Sequence, residues 1–262
     1  MKHFMNILLS LVAAGLVPAC GTPAGHAANE EPAEYVLDGL LSEGNHYDVA
    51  SYLVRHPDFL SETAQSFNDG EWLNYETSAD GRFRVYSMQY LRQANPPIEN
   101  IIQFAHPYGP ALRLEEMRDM GRIESVGMVT LPSKNYYLAV TGETYCSQGS
   151  YYTSTVRAFS LNNYTCEFKR AQVFKTKSGK MLDTIEVHWN DRGGSLSASE
   201  ENFVGVSLEE AADSEMTAVV CVQVISSESG LPTDNEICYS WNGRCFEYEG
   251  IRDSMTSEMI RR

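Results

Sequence analysis

Residues 237–248 read Ile237-Cys238-Tyr239-Ser240-Trp241-Asn242-Gly243-Arg244-Cys245-Phe246-Glu247-Tyr248, and their alternation sets the fold class. Apolar and polar side chains exchange along both arms of Asn242-Gly243, a dipeptide that favours tight reversal because both of its residues tolerate positive φ. A two-residue turn there sets Trp241 opposite Arg244, Tyr239 opposite Phe246 and Ile237 opposite Tyr248. One side of the hairpin then carries Ile237, Tyr239, Trp241, Phe246 and Tyr248 and must be buried. The other side carries Glu236, Cys238, Ser240, Cys245 and Glu247 and is expected to face solvent.

The same pattern extends back toward the N-terminus. Trp72 to Thr77 and Arg82 to Leu91 flank Ala79-Asp80-Gly81, a second hairpin signal. Further strands are predicted at Ile98–Phe104, Ile123–Leu131, Tyr136–Tyr145, Tyr152–Leu161, Thr165–Phe174, Asp183–Trp189, Asn202–Val206 and Thr217–Ile225. Their connections are too short for crossover helices, so the strands should pair antiparallel. Leu112–Met120 suits one short helix. Before the strands, Val36, Leu37, Leu40, Leu41, Val49, Tyr52, Leu53, Leu60, Ala64 and Phe67 recur at helical spacing, and Pro57 suits a helix's first turn. The expected fold is mainly β: an antiparallel multi-stranded domain over 71–250, a sandwich or roll, preceded by a short helical segment over 33–70. A small β-propeller is the alternative. Residues 251–262 read as a C-terminal tail.

The first residues have the layout of a secretion signal: Lys2, an apolar run from Ile7 to Val17, then small residues. The run is shorter than the roughly 20 residues that span a bilayer. Val17-Pro18-Ala19-Cys20 resembles the lipobox of bacterial lipoproteins, which makes 1–19 a signal peptide and Cys20 a lipid anchor. A soluble secreted form cut after Ala19 or Ala27 is the alternative. Residues 20–32, small and proline-containing, form a flexible tether.

The chain has a formal charge of −15, and loss of Lys2 with the leader makes it −16. Nucleic acid is excluded as a partner by the lack of a concentrated basic face. From Ser195 to Glu236 there are carboxylates and no lysine or arginine, whereas Phe168 to Lys180 holds basic residues and no acid. No calcium-loop spacing accompanies the acidic stretch, so both read as solvated faces.

If Cys20 is acylated, Cys146, Cys166, Cys221, Cys238 and Cys245 remain, an odd set outside the cytoplasm. Cys238 and Cys245 share a hairpin face and Cys221 on the preceding strand can reach it, so a disulfide is expected among these three. A cysteine nucleophile lacks an identifiable histidine base. No two histidines stand at the i, i+4 spacing of a zinc pair, so neither a metal nor a cofactor is expected. No serine elbow or phosphate loop occurs. Tyr136-Tyr137 and Tyr151-Tyr152 are adjacent pairs on strands; with one sheet face solvated, one tyrosine of each pair is exposed and available to stack on a sugar or peptide. Asp183-Thr184-Ile185 and Asp253-Ser254-Met255 match a short O-glycosylation pattern, the second accessible in the tail.

Three stretches, Ser78 to Ser87, Ile101-Ile102-Gln103-Phe104 and Tyr239 to Phe246, resemble a group of uncharacterised exported lipoproteins of anaerobic gut-type bacteria. The likeness covers roughly residues 70 to 250 and implies export but no activity. The sequence therefore predicts a lipid-anchored protein of the outer membrane or cell surface, with a non-catalytic role in binding a glycan or envelope protein or in envelope structure. The alternative is a hydrolase of extracellular polysaccharide or peptidoglycan using paired carboxylates.

Overall fold

The computed structural model describes residues 46–60, 73–89, 98–104, 111–113, 115–117, 119–142, 144–146, 151–162, 167–190 and 205–261. The leader, Cys20, the tether and Cys166 lie outside the described residues. The fold is mainly β, as expected, and among the described residues a short helical region precedes three sheets in successive layers.

The helix α1 (His46–Arg55) buries Val49, Ala50 and Leu53, and a second helical segment over 57–60 begins at Pro57 and buries Leu60. Both lie against a four-stranded sheet in the order β1 (Leu73–Thr77), β2 (Phe83–Gln89), β3 (Ile98–Phe104), β4 (Ala111–Arg113). Leu73, Tyr86, Met88 and Ile101 complete this first core. The sheet's opposite face carries Phe83, Val85, Ile102 and Phe104, since successive residues of a strand point to opposite sides.

That second face packs on a central sheet ordered β12 (Thr184–Asn190), β8 (Tyr151–Leu161), β6 (Lys134–Thr141), β5 (Ile123–Leu131). The short strands β7 (Thr144–Cys146) and β9 (Phe168–Arg170) also pair with β8. The third sheet is ordered β11 (Met181–Leu182), β10 (Phe174–Lys175), β16 (Phe246–Asp253), β15 (Pro232–Trp241), β14 (Thr217–Ile225), β13 (Val206–Glu210), with β17 (Met259–Arg261) also on β16. Val129, Leu138, Val140, Val156 and Trp189 from the central sheet meet Val206, Val220, Val222, Tyr239 and Phe246 from the outer one. On β5, Gly127 permits this approach: a Cβ there would stand 2.4 Å from Thr217 Oγ1 and 2.6 Å from Leu208 Cδ1.

Several expectations are corrected. The sheets stack face to face instead of circling a channel, which removes the propeller. Pairing is antiparallel except for β10 with β16, joined in parallel at Phe174 and Phe246. Leu112–Met120 divides between β4 and a single 3-10 turn, Glu115–Met117. The chain beyond Gly250 does not leave the fold as a tail: β16 runs on to Asp253 and β17 pairs with it. Ser254 sits in the turn between them, where Asp253 accepts backbone N–H bonds from Met255 and Thr256.

Both hairpins depart from the two-residue form. Around Asp80-Gly81, where Thr77 pairs with Arg84, Gly81 alone of the two takes a left-handed φ, of 66°, and Ser78 Oγ accepts from the backbone N–H groups of Arg82 and Phe83. In the C-terminal hairpin Trp241 faces Phe246 and Tyr239 faces Tyr248, so the reversal is centred on Gly243-Arg244. Asn242 Oδ1 drives the shift by accepting from the N–H groups of Arg244 and Cys245. The register moves by two residues, which preserves parity: the expected apolar face still meets the core.

Candidate functional site

The central sheet overturns the tyrosine surface. Tyr136 and Tyr137 point to opposite sides of β6, and both are buried, at 9% and 0% exposure, because a sheet covers each side. Tyr136 joins the core against the outer sheet and Tyr137 the core against the first sheet. Tyr137 Oη donates to Asp80 Oδ2 at 2.7 Å, tying the first hairpin to the central sheet. Burial and this bond push the phenol up to about 12. Tyr151 and Tyr152 lie in β8, opposite Asn190 and Trp189 of β12 and Cys146 and Tyr145 of β7; their side chains lie outside the description. His188 points outward between buried Val187 and Trp189, with Nε2 3.5 Å from Glu186 Oε2.

The cysteines yield more. Cys221 and Cys238 are directly opposite in the β14–β15 ladder, and their Sγ atoms are 3.4 Å apart. Cys245 lies apart from them in the turn, where Asn242 Nδ2 donates to its Sγ at 3.6 Å. Contrary to expectation, Cys238 does not face solvent: both Cys221 and Cys238 are 1% exposed although they stand on the outward face of the outermost sheet.

Charged side chains from the flanking strands provide the cover. Arg252 on β16 donates through Nε to Glu236 Oε2 at 3.1 Å and through Nη2 to Glu209 Oε1 on β13. Gly250, directly opposite Cys238, places no side chain between them. Glu236 and Arg252 keep only 13% and 15% of their side-chain surface in water. The result is one row across four strands: Glu209, Cys221, Cys238 with Glu236, and Arg252.

Two carboxylates share one guanidinium, so the row carries surplus negative charge before either thiol ionises. Within it the thiols are unequal. The Cys221 thiol is pushed well up by its hydrogen bond to Cys238 and by burial. The same bond holds Cys238 below the ordinary thiol value against its burial, with help from the Arg252 charge. Of the two, Cys238 is therefore the thiol that gives up its proton first. Arg252 is raised in turn, first by Glu209, and stays charged throughout.

Two kinds of chemistry fit. Directly opposite residues of an antiparallel pair have Cα atoms about 4.5 or 5.5 Å apart, and both spacings fall within the span of a disulfide. The two Sγ atoms and a Glu236 oxygen also lie within 4.8 Å of one another, the arrangement of a three-ligand metal site. Sequence reading found the cysteines but missed Glu209, Glu236 as a ligand, and Arg252. Glu236 was accessible, lying two residues before Cys238 on the same strand face. Arg252 was hidden by its assignment to a tail.

Carboxylates also come near one another where the first and central sheets meet. Glu76 on β1 is held above the usual carboxylate value, first by burial and then by Glu124 on β5. No family model matches the chain, and neither a curated protein nor a solved structure matches it significantly.

Proposed function

We propose that this chain is an exported lipoprotein of the cell envelope, anchored through Cys20 after removal of residues 1–19, with a structural or binding role and not a catalytic one. The observation that carries the reading is the Cys221–Cys238 pair. Two buried thiols facing each other across a ladder close readily to a disulfide, and such bonds persist outside the reducing cytoplasm. The secretion-signal layout of the leader, the lipobox-like residues before Cys20 and the acidic charge agree with delivery across a membrane. Residues 20–32, at up to about 3.6 Å each, would hold the start of the chain that follows them within about 45 Å of the lipid surface.

In the oxidised state Cys221 and Cys238 form the disulfide and Cys245 keeps its thiol. The partner is an envelope protein or glycan met on the outside. Because Tyr136 and Tyr137 are buried, they offer no stacking surface to such a glycan. The test is fatty-acid labelling in the producing cell: wild type incorporates label and fractionates with membranes, whereas Cys20→Ser does neither. Differential alkylation should show Cys221 and Cys238 blocked until reduction. Unlabelled wild type with both cysteines freely alkylated in the cytosol overturns the reading.

A further inference from the structure

We infer that Cys221, Cys238 and Glu236 form a binding site for a thiophilic divalent cation, of which Zn2+ is the type, available whenever the cysteine pair is reduced. The inference stands apart from the export reading, because the cluster's geometry does not depend on the compartment.

Distance is the first argument. A tetrahedral zinc with Zn–S bonds of about 2.3 Å separates its sulfur ligands by about 3.8 Å. The observed Sγ–Sγ distance of 3.4 Å is much nearer to that edge than to the S–S bond of about 2.05 Å. Glu236 completes a triangle of donor atoms, none more than 4.8 Å from another. Three protein ligands with an open fourth position is an established zinc arrangement.

Charge is the second. Arg252 stands beside the site, and a cation there would oppose a metal ion if nothing offset it. The guanidinium has two carboxylates, however, and Glu209 alone suffices to hold it. Glu236 can therefore turn to the metal without leaving Arg252 unpaired. Binding converts both thiols to thiolates and releases their protons to solvent. The two thiolates match the two charges of the ion, so the row keeps the net charge it had with both thiols protonated.

Backbone placement is the third. Cys221 and Cys238 are fixed by the ladder, and each sits in a strand paired on both sides. The ligands are thus held by sheet, which limits the entropy lost on binding. Metal and disulfide are mutually exclusive uses of the same sulfurs. A bound ion protects the pair from oxidation, and oxidation abolishes the site.

The experiment uses the purified protein, reduced with a phosphine, stripped with chelator and titrated anaerobically with Co2+ and then Zn2+. Expected is a thiolate-to-cobalt charge-transfer band saturating at one equivalent, and its bleaching by Zn2+. Cys238→Ser should lose the band. Glu236→Gln should keep it with affinity at least tenfold weaker, and Cys245→Ser should behave as wild type. Wild type oxidised with diamide should bind nothing and recover on reduction, an arm that needs no substitution and so survives if Cys238→Ser fails to fold. No charge-transfer band in reduced wild type, or a band that persists in the oxidised protein, overturns the inference.

Discussion

In the central sheet, Tyr136 and Tyr137 are both hidden because a sheet lies over each face. In the outer sheet, Cys238 and Tyr239 are also both hidden, but only Tyr239 reaches a core. Cys238 is covered by Glu236 and Arg252 reaching over it from its own and the neighbouring strand. Each of the two sheets also contains a shielded arginine, Arg157 buried and Arg252 half-buried. Arg157, 3% exposed on β8, meets one carboxylate, Asp119, with two bonds, and also donates to Glu116 O and Thr184 Oγ1. Arg252 meets two carboxylates. Asp119 also lies 3.5 Å from Arg170, so at the central sheet one carboxylate serves two guanidiniums, whereas at the outer sheet one guanidinium serves two carboxylates.

The sharpest way to break this comparison is to add a charge to a face covered by a sheet and to the outer face. Ala139 is 2% exposed on the face of β6 toward the first sheet. Ala139→Lys buries an unpaired ammonium and should cost about 4 kcal/mol or more, leaving little folded protein by circular dichroism. Val219, in the row of Cys221 on the outer face and opposite Ser240, should accept lysine within about 0.5 kcal/mol of wild type. Similar losses at both sites would mean that the outer face is also covered by protein.

Next in size is Arg252→Met, which leaves Glu209 and Glu236 facing each other over the cysteines. Removing one partner from a buried ionic group costs about 3–5 kcal/mol, and the 42% exposure of Glu209 discounts this to about 2 kcal/mol in a urea titration. Adding Glu236→Gln should recover part of the loss. A double-mutant cycle with no coupling would show that the row is not a unit.

Why the sequence disclosed one of these faces and not the other follows from what alternation encodes. The apolar row Ile237, Tyr239, Trp241, Phe246 and Tyr248 was legible to the residue, because a period of two fixes which side chains share a face. Alternation cannot say what lies above the second face. Tyr-Tyr at 136–137 looks the same whether one side meets water or another sheet, and the layer order depends on pairings between distant segments. The site was half legible for a similar reason. Cys221, Cys238 and Glu236 follow from strand parity, while Arg252 enters only through a bulge at Cys238/Tyr239 and through strand residues beyond Gly250. The turn shift by Asn242 was locally encoded but lost to the commoner Asn-Gly geometry.

A smaller effect separates the two arginines by pH. Asp119 is held below the ordinary carboxylate value, first by its hydrogen bond to Arg157. A lowered folded-state value stabilises the fold above the unfolded one, and that stability is lost as pH falls through the folded value. Asp119→Asn should therefore cost about 1 kcal/mol at neutral pH, discounted for the 63% exposure of Asp119. The difference from wild type should fade in acid. A cost that stays constant with pH would assign the effect to packing.

The smallest prediction has the opposite sign and tests the seam between the first and central sheets. Glu76 is half-buried, and burial followed by Glu124 raises its folded-state value. On Gly142, beside this seam, a Cβ would stand 2.0 Å from Glu124 Oε1, so the glycine makes room for that carboxylate. A raised value favours the protonated form in the fold: the contribution is fully present below the unfolded value and is lost as pH rises through the folded one. At neutral pH Glu76 is thus a charged group in a poor place, and Glu76→Gln should gain up to about 0.5 kcal/mol. Below about pH 4 the gain should vanish as the wild-type carboxylate takes its proton. Urea midpoints across this range decide the matter. A loss of stability at neutral pH would show that Glu76 is held by an attraction outweighing its burial, and the seam would then resemble the Arg252 row more than the central sheet.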